Sequence, residues 1–569
     1  MDKMNYKSKY HRDEPVRKIN VNQTLYDAVM NTNEANMDLL YSSYFGKSKS
    51  FNDLKDETDR LATALHRDGI NSDDTIGVLL LTIPEVAPVL LAPNSIGAST
   101  YWMDVTIKPN DLIQYINTKK MKEIIIIEKL VPLIEAIIGN TSLQRVIVIP
   151  ETPFGSKQEF KNDKFTYYSD FINLNNDKNI ERAKFDKEKP TIGVQSSGST
   201  GKSKSILHTD YNFNAEIEKM AYTDLPFYVG KKSFVCAPPW VIYGLVNSIY
   251  SGMIFGQQTT YSLAPKEEML YENLGSYDFA YGVPVYIKFL YNKVAKLQSS
   301  NDINDMKELS RIYKELDRVK VLISGGAKIS EEDILKWQQV LRVPIINGYG
   351  NNESVGAAIV QPLFANKPGS IGVAMYGNNV KTFDLSTGQL LPDGSVGEIG
   401  INSSSLFVKY DGNEEETKRV KQMYDGKAWV KTGDIGYVDK DGYVFIEGRA
   451  KRLITDKLGY KISPDNSEDL IQKSDYVEEC AVVGVEVAED DTIPMAFIEL
   501  KEEYKGNEDI LRELETYAQE NLKDYECPKL FKEIEKIPHK DNGGKVDYIS
   551  LEELAAQSHG YKRLNLTKK

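Results

Sequence analysis

Along the first part of the chain, stretches with the apolar period of a helix alternate with short apolar runs typical of buried strands. Apolar residues recur every three or four positions over Phe51–His66, which predicts an amphipathic helix, and a short apolar run at Ile76–Leu81 predicts a buried strand. The same alternation continues to about residue 350 and is typical of α/β layers. The further elements predicted here are strands at Glu123–Glu128, Arg145–Pro150, Ser233–Ala237, Asp278–Gly282, Lys320–Ser324 and Val343–Asn347, and a helix at Glu331–Leu341.

The pattern changes at about residue 380, where short strands are separated by Asp-Gly pairs. These pairs lie at 393–394, 411–412, 425–426 and 441–442. Asp and Gly tolerate the positive φ that tight hairpin turns require, so the pairs predict hairpins. The region from about 380 to 447 is therefore predicted as a mostly antiparallel β lobe. Its predicted strands are Lys381–Asp384, Gly397–Asn402, Ala428–Lys431 and Tyr443–Glu447.

A compact α+β pattern follows Gly448 and continues to about residue 555. Predicted strands at Cys480–Val487 and Pro494–Leu500 precede a long predicted helix at Asn507–Leu522. The overall prediction is an α/β fold with a large N-terminal domain of α/β layers plus the β lobe, and a small mobile α+β C-terminal domain. The predicted divisions are a charged mobile tail at 1–20, the large domain at 21–447, a hinge at 448–452 and the small domain at 453–569.

Composition narrows the class of protein. The 569 residues are too many for one compact core, and a hydrophobic content of 41% with a charged content of 27% is typical of soluble globular proteins. The net charge of −13 argues against nucleic acid or an anionic membrane as the main partner. No apolar run reaches the roughly 18 residues of a membrane span. The three cysteines lack pair spacing, so a reduced, cytoplasmic setting is expected.

A run of small hydroxylated residues, glycines and lysines follows the apolar Thr191–Val194. Such a run can fold its backbone closely around phosphate oxygens, while the lysines add charge. Seen in isolation it would more often be a solvent-exposed loop. The P-loop of nucleotide hydrolases is excluded, because its spacer before Gly-Lys is longer than the two residues found here. The run is Ser196, Ser197, Gly198, Ser199, Thr200, Gly201, Lys202, Ser203 and Lys204.

This run resembles the phosphate signature of the adenylate-forming superfamily, which includes acyl-CoA synthetases, aryl-CoA ligases, luciferases and peptide-synthetase adenylation domains. Ser203 stands where the family usually has proline. Four further elements follow in the family's order, and together the five are specific although each alone would more often mark a turn. The four are NGYGNNE at Asn347–Glu353, KTGD at Lys431–Asp434, GRAKRLI at Gly448–Ile454 and PHKDNGGKVD at Pro538–Asp547.

The resemblance implies ATP, Mg²⁺ and CoA as cofactors. It implies that Tyr349 stacks on adenine, that Asp434 binds the ribose hydroxyls, and that Glu353 and Thr200 hold Mg²⁺. These roles suit the chemistry of an aromatic face, a carboxylate and hard oxygen ligands. The implied ATP-binding residues are Ser196, Ser197, Gly198, Ser199, Thr200, Gly201, Lys202, Lys204, Gly326, Ala327, Asn347, Gly348, Tyr349, Gly350, Asn352, Asp434 and Arg449.

The same resemblance assigns catalysis to Lys545, which would bridge the substrate carboxylate and the α-phosphate, together with Glu353. Lys451 would be the pivot of a domain rotation that opens a channel for the thiol. The implied CoA-binding residues are Gly459, Tyr460 and Lys461. The chain carries one residue more than the family between Ile454 and Gly459, and one more before Lys545.

The acid-binding pocket is expected from the segment Ala237–Gly244 and from the glycines near residue 325. Val241 stands where many relatives carry histidine, and residues 233–250 contain no acidic side chain. An unpaired ammonium in such a pocket would be costly, so an α-amino acid is disfavoured. The glycines leave room for a medium or long acyl chain or an aromatic acid. The implied substrate-binding residues are Trp240, Val241, Tyr243, Gly244 and Gly325, with Trp240 and Tyr243 alternatively ordinary core residues.

The function predicted from the sequence is ATP-dependent activation of a fatty or aromatic carboxylic acid to acyl-AMP, followed by transfer to CoA. This is an activity of fatty acid metabolism. Two alternatives stay open. One is a stand-alone adenylation enzyme that loads an acyl carrier protein. The other is a weakened homologue that binds nucleotide or acyl ligand without turnover.

Overall fold

The structure is a computed structural model that describes residues 9–155, 157, 159–173, 180–196, 204–263, 268–327, 329–455, 461–488, 491–524, 526–539 and 546–559. The chain divides into two compact units. The first unit comprises residues 1–380, 401–430 and 442–444. The second comprises 381–400, 431–441 and 445–569. The hinge placed at 448–452 stays a prediction.

The strands are numbered in chain order over the described residues. Those up to residue 261 are β1 Leu40–Tyr44, β2 Lys47–Ser50, β3 Thr75–Leu79, β4 Ser99–Trp102, β5 Glu123–Ile127, β6 Arg145–Ile149, β7 Phe165–Tyr167, β8 Pro190–Ser196, β9 Lys204–Thr209, β10 Lys232–Val235 and β11 Gln258–Tyr261. The later ones are β12 Phe279–Gly282, β13 Val321–Ser324, β14 Ile345–Asn351, β15 Gly356–Val360, β16 Gly372–Ala374, β17 Asn379–Phe383, β18 Gly397–Asn402, β19 Lys409–Tyr410, β20 Lys421–Tyr424, β21 Lys427–Val438, β22 Tyr443–Arg449, β23 Ile454–Thr455, β24 Lys461–Ile462, β25 Val477–Ala488, β26 Asp491–Leu500 and β27 Leu530–Glu533.

The α-helices are numbered in the same way. They are α1 Leu25–Thr32, α2 Phe51–Arg67, α3 Val86–Ser95, α4 Pro109–Thr118, α5 Val131–Ile137, α6 Tyr168–Asn173, α7 Asp210–Met220, α8 Ser251–Ile254, α9 Met269–Glu272, α10 Pro284–Gln298, α11 Ile303–Leu316, α12 Glu331–Leu341, α13 Glu414–Val420, α14 Pro464–Ile471, α15 Glu508–Asn521 and α16 Tyr548–His559. A π-helix at Tyr243–Tyr250 leads directly into α8.

The first unit contains two sheets built mainly from parallel strands. One runs in the order β16-β15-β14-β13-β12-β10-β11-β1-β2, with β14 to β1 parallel, and the other in the order β19-β9-β8-β4-β3-β5-β6-β7, with β8 to β7 parallel. Parallel strands are covered on both faces, which explains the fully buried run of β5. The predicted α/β class is confirmed, and ligands of such sheets bind at the carboxyl ends of the strands.

The second unit contains the strand run β17-β18-β21-β22, the short pair β23-β24 and the three-stranded sheet β25-β26-β27. Strands β25 and β26 are antiparallel, with Cys480 opposite Ile498. Helices α14 and α15 share one apolar core with this sheet, and α16 shares a second. This is the α+β arrangement that the sequence pattern predicts for the C-terminal region.

The Asp-Gly pairs do not all form hairpins. Asp425 and Gly426 have φ of 49° and 71° and join the antiparallel strands β20 and β21 in a tight turn, as predicted. The pair at 411–412 leads from β19 into α13 instead. Asn413 caps that helix by accepting a hydrogen bond from the backbone N–H of Glu416. A strong N-cap therefore overrides the hairpin signal at this position.

The charge pattern predicts a mobile tail at 1–20, but the described part of this segment is bound to the first unit. The backbone N–H of Arg12 donates to Tyr222 O at 2.9 Å, and its Nε donates to Thr223 O at 2.7 Å. The Arg12 guanidinium also lies 5.5 Å from the ring centroid of Tyr228. The mobile tail at 1–20 as a whole stays a prediction, and the contacts of Arg12 are ones that a count of charges does not register.

His208 on β9 is fully buried, and neither ring nitrogen has a hydrogen-bond partner among the described residues. Burial lowers its pKa to about 3, from an ordinary 6.5. The unfolded chain therefore binds a proton below pH 6.5 that the folded chain takes up only near pH 3, and stability is lost as the pH falls through this window.

We expect His208→Phe to raise the free energy of unfolding at pH 7 by about 1–3 kcal/mol, because it removes an unsatisfied buried group. Because of His208, the free energy of unfolding of the wild type should fall by about 2 kcal/mol between pH 7 and pH 5, and the variant should lack this fall. Urea unfolding of both proteins at the two pH values measures this. His66→Gln on the exposed face of α2 is the matched control. An equal loss between pH 7 and pH 5 in His208→Phe and wild type would contradict the assignment.

Candidate active site

The two ends of the predicted phosphate loop are held as neighbouring strands. β8 ends at Ser196 and β9 begins at Lys204, and these two residues are paired in antiparallel register. Since β8 is parallel to β4, the connection leaves the sheet at the carboxyl end of a parallel strand, where ligands bind. The predicted phosphate-binding residues Ser197, Gly198, Ser199, Thr200, Gly201 and Lys202 lie outside the described residues.

Lys204 lies in a small network of charged groups. Its ammonium pairs with Glu416 of α13 and lies 5.0 Å from the ring centroid of Tyr410. Glu416 also accepts two hydrogen bonds from Arg419, at 2.6 and 2.7 Å. Arg419, with the help of Lys204, lowers the pKa of Glu416 to about 2. The Lys204 ammonium therefore already has an acidic partner beside the start of β9.

Glu353 lies in a 3₁₀ turn, Asn352–Ser354, and is held at both its backbone and its carboxylate. Its carbonyl accepts from Phe407 N at 2.8 Å, and its Oε1 accepts from the Tyr410 hydroxyl at 2.5 Å. The turn ends at Val355, which has a φ of 62°. Left-handed backbone is unfavourable for a β-branched residue and persists only where the surroundings enforce it. The surroundings therefore fix the position of Glu353.

Asn352 stands where the family has threonine, and it connects two parts of the site. Its Nδ2 donates to Gln195 O at 3.5 Å, next to the last residue of β8. Its Oδ1 accepts from Ile242 N at 3.4 Å, in the segment predicted to bind the acid. The amide therefore joins the strand before the phosphate loop to the acid-binding segment.

The NGYG element forms the end of β14 rather than a free loop. Asn347 pairs with Ser324 of β13, and within the described part of the chain both Asn347 Oδ1 and Ser324 Oγ are buried without a hydrogen-bond partner. Gly350 is required for steric reasons, since a Cβ there would lie 1.5 Å from Gly356 O. Unpaired buried polar atoms are costly. These two atoms at the carboxyl edge of the sheet therefore suit a polar ligand such as a purine base.

Tyr243 begins the π-helix of the acid-binding segment and is held from both sides. Its hydroxyl lies 3.1 Å from Gly282 O and 3.2 Å from Ile323 O. A Cβ on Gly325 would lie 3.1 Å from its ring. The space that Gly325 leaves is therefore taken by the Tyr243 ring. Single π-helical turns are frequent at functional sites.

The other residues predicted to bind the acid or the adenine lie close to Tyr243 or directly after Gly325 in the sequence. Trp240 is half-buried, Val241 is 37% exposed and Gly244 is buried against the Pro238 carbonyl. Gly326 and Ala327 follow β13 and are exposed, and Gly326 has a φ of 81°.

An acidic side chain approaches the acid-binding segment from outside it. Glu216 of α7 accepts from Asn247 Nδ2 at 3.5 Å, although residues 233–250 contain no acidic residue themselves. Lys219 lies 3.6 Å from the Glu216 carboxylate and compensates its charge. The Glu216 carboxylate is fully buried and already has a cationic partner, so it offers no free charge to a substrate ammonium.

In the second unit, Asp434 and Arg449 are brought together. Asp434 Oδ1 lies 2.9 Å from Arg449 Nε, with the Asp434 side chain 7% exposed and that of Arg449 61% exposed. The backbone N–H of Asp434 donates to Thr432 Oγ1, which itself donates to Ile399 O. The TGD element therefore lies within β21 and holds one carboxylate beside an accessible guanidinium.

The remaining predicted residues of this unit are only partly described. Lys451 lies in the exposed 3₁₀ turn Ala450–Arg452, and Lys461 begins β24 opposite Thr455. Gly459, Tyr460 and Lys545 lie outside the described residues.

The carboxylates of the described site offer few ligands for Mg²⁺. Over the described ranges there is no group of three or more His, Cys, Asp or Glu side chains suited to a metal ion. Glu353 offers one carboxylate, of which one oxygen accepts from Tyr410. Mg²⁺ keeps several waters and is commonly held by one or two carboxylates together with substrate phosphates. The residues present therefore fit a Mg²⁺ that shares its ligands with ATP.

Sequence reasoning missed the residues that hold the site. Tyr410 and Glu416 carry no local signal, because their partners lie far away in the chain. Glu216 carries a signal that was available: it is three residues after Phe213 and four before Met220, so it lies on the buried face of α7. A charged residue on an apolar helix face is an indication of a buried polar contact.

Comparison with known proteins places these features in a family. The AMP-binding enzyme family matches residues 30–410, and its C-terminal domain matches residues 466–544. A probable 4-coumarate–CoA ligase of Dictyostelium discoideum is 26% identical over 503 residues, covering 86% of this chain and 84% of the relative. A long-chain-fatty-acid–CoA ligase of Bacillus subtilis is 25% identical over 567 residues, covering 95% and 96%.

Solved structures share the fold. The anthranilate CoA ligase AuaEII in complex with anthranoyl-AMP matches with a TM-score of 0.79 at 21% identity, covering 96% of this chain and 99% of the other. ATP-bound MatB from Rhodopseudomonas palustris matches with a TM-score of 0.80 at 20% identity, covering 95% and 99%. No helix of the described residues is long and apolar enough to cross a membrane. The chain belongs to the AMP-binding enzyme family, within the adenylate-forming superfamily that includes the acyl- and aryl-CoA ligases.

Proposed function

We propose that this protein activates a carboxylic acid with ATP to give acyl-AMP and pyrophosphate, and then transfers the acyl group to CoA. One observation carries the proposal. The Tyr410 side chain binds Glu353 through its hydroxyl while its ring lies against Lys204, at the end of the predicted phosphate loop. A carboxylate suited to Mg²⁺ and a lysine suited to phosphate are thereby held around one side chain.

In the first step a carboxylate oxygen of the acid attacks the α-phosphorus of ATP, and the bond to pyrophosphate breaks with its electron pair. Little proton transfer is needed, so the protein supplies position and charge. Residues Ser196–Lys204 hold the β- and γ-phosphates, and Lys545 neutralises charge between the carboxylate and the α-phosphate. Glu353 and Thr200 would hold Mg²⁺, which would neutralise part of the phosphate charge.

The residues predicted to bind the nucleoside form two groups. Asn347 to Gly350, with Gly326, Ala327 and Asn352, form the adenine site, where Tyr349 offers its ring to the base. Asp434 accepts hydrogen bonds from the ribose hydroxyls, and Arg449 lies beside it to contact the ribose or a phosphate.

In the second step the CoA thiolate attacks the acyl carbonyl, and the bond to the AMP oxygen breaks with its electron pair. Rotation about Lys451 removes Lys545 and admits the thiol along Gly459, Tyr460 and Lys461. Separating the half-reactions by a domain rotation is an established kind of gating.

The acid is proposed to be a fatty or aromatic acid without an α-amino group. The acid-binding segment is apolar, and the carboxylate of Glu216, which binds Asn247, is compensated by Lys219. An ammonium in this pocket would lack an uncompensated partner, which is costly. The names of the relatives cover both fatty and aromatic acids, in agreement with this range.

Pyrophosphate release over a panel of acids tests the proposal. The panel includes decanoate, palmitate, benzoate and 4-coumarate, with phenylalanine as the α-amino control, each with and without CoA. We expect release with at least one acid of the first group, faster with CoA and accompanied by loss of free thiol. Activity with phenylalanine alone would contradict the choice of acid. Acyl transfer only to a holo acyl carrier protein would favour the carrier-loading alternative, and no release with any acid would favour a binding protein.

A further inference from the structure

Helix α7 carries an acid–base pair that is buried completely. The side chains of Glu216 and Lys219 are 0% and 2% exposed, and Lys219 Nζ lies 3.6 Å from Glu216 Oε2. Burial raises the pKa of Glu216 and lowers that of Lys219, and each partner opposes the shift of the other. Glutamate and lysine are almost never fully buried unless they are paired. Neither residue takes part in the proposed chemistry, so the burial of two charged side chains must serve another role.

The pair is enclosed in a hydrogen-bond network that reaches two other segments. Lys219 Nζ donates to Ser403 Oγ and, at 2.6 Å, to Ser405 Oγ. Ser405 Oγ donates to Glu216 Oε2 at 3.0 Å, and Asn247 Nδ2 donates to Glu216 Oε1. A fully satisfied buried network fixes the relative position of the elements it joins. Here it joins α7, the π-helix and the segment before β19.

This network reaches the turn of Glu353 from both sides. On one side Ser405 Oγ lies 3.4 Å from Ser354 O. Ser405 is also two residues before Phe407, whose N–H donates to Glu353 O. On the other side Asn247 Oδ1 accepts from Ala357 N at 3.3 Å.

The fit around Asn247 is close, since a Cβ on Gly356 would lie 1.9 Å from Asn247 Oδ1. The left-handed Val355 lies between these two contacts. Such a backbone conformation persists only where its surroundings over-determine it. The network supplies a contact at Ser354, immediately before this residue, and one at Ala357, two residues after it.

We propose that Glu216 and Lys219 are positioning residues that, through Ser405 and Asn247, hold the Glu353 turn in place for Mg²⁺ and ATP. The inference rests on the proposed function for the role of Glu353. Two apolar side chains would fill the same space without the cost of burying charge. They would not, however, bind Ser405 and Asn247. Loss of the pair should therefore be tolerated by the fold and still disturb the metal site.

The test is the double variant Glu216→Leu/Lys219→Met, which removes both charges and leaves neither one buried without a partner. Partners that orient a metal ligand typically contribute about 10- to 100-fold to metal affinity. We expect a melting temperature near that of wild type, a half-saturating Mg²⁺ concentration for pyrophosphate release raised about 10-fold or more, and an unchanged KM for the acid. Electron paramagnetic resonance titration of Mn²⁺ with a non-hydrolysable ATP analogue should show the same weakening without turnover.

The matched control is Asp59→Leu/Arg182→Met, which removes another ion pair with a buried acid, in α2 of the same unit. It should leave Mg²⁺ dependence and Mn²⁺ binding at wild-type values. If the first double variant does not fold, Ser405→Ala removes the connection to Ser354 while both charges remain, and it should weaken Mn²⁺ binding in the same direction.

Wild-type Mn²⁺ binding in a folded Glu216→Leu/Lys219→Met variant would overturn the inference and leave the pair a purely structural one. The Mn²⁺ titration also separates this inference from the proposed function. A wild-type protein that binds Mn²⁺ and the ATP analogue but releases no pyrophosphate would refute only the proposed reaction. Weaker binding in the variant would then still support the positioning role.

Discussion

Lys545→Ala is expected to lower the rate of acyl-AMP formation by about 100- to 1000-fold, the usual loss when one preorganised charge-stabilising group is removed. Thioester formation from supplied acyl-AMP should stay close to wild type. The reason is that Lys545 is proposed to act on the α-phosphate only in the first step. Pyrophosphate release measures the first half-reaction, and chromatography of the acyl-CoA formed from synthetic acyl-AMP measures the second.

Lys536→Ala is the matched control, since Lys536 is an exposed lysine of the same unit, nine residues earlier in the chain. It should leave both half-reactions unchanged. An equal loss of both half-reactions in Lys545→Ala would remove the assignment to the first step. No loss in either would shift the role to another lysine of this segment, with Lys540 the next to test.

Asp434→Asn is expected to raise the KM for ATP by about 10- to 100-fold, because hydrogen bonds to a charged group contribute about 1.5–3 kcal/mol each. Asp434 is a buried carboxylate that already accepts from Arg449, and it is proposed to accept from two ribose hydroxyls. An amide keeps one acceptor oxygen and loses the charge. Initial rates over a range of ATP concentrations, at saturating acid, measure the change.

The KM for the acid should stay near the wild-type value, which separates a nucleotide role from a general disturbance. Asp393→Asn is the control on the same unit, since Asp393 is 79% exposed and pairs only at the surface with Lys381. An equal rise in both KM values, or a comparable fall in melting temperature without an effect on ATP, would contradict the ribose assignment.

The elements with clear local signals were predictable to within a residue or two. Helix α12 has the predicted bounds because Ser330 caps its start and Arg342 ends it in the left-handed conformation. Helix α15 differs by one residue at each end. Strand β21 extends to Val438 although the apolar pattern predicts an end at Lys431. Sheet pairing prolongs it, and pairing partners are not visible in a local window.

The described site likewise combines features that short motifs predict with contacts that they do not. The motifs identify the strand ends around Ser196 and Lys204, the Glu353 turn and the pair of Asp434 with Arg449. The motifs do not reveal that Tyr410 binds Glu353 or that Glu416 pairs with Lys204, because these partners are 57 and 212 residues apart in the chain.

By itself, the sequence determined the α/β class, the family and the type of chemistry, because each of these is encoded in contiguous residues. The periods of apolar residues specify helices and strands, and five short motifs in one order specify the family. Only the tertiary structure decided how Glu353 is held, that Arg12 contacts Tyr222, Thr223 and Tyr228, and that Glu216 and Lys219 form a buried pair. Contacts of this kind join distant segments through single side chains, so no periodicity or motif records them.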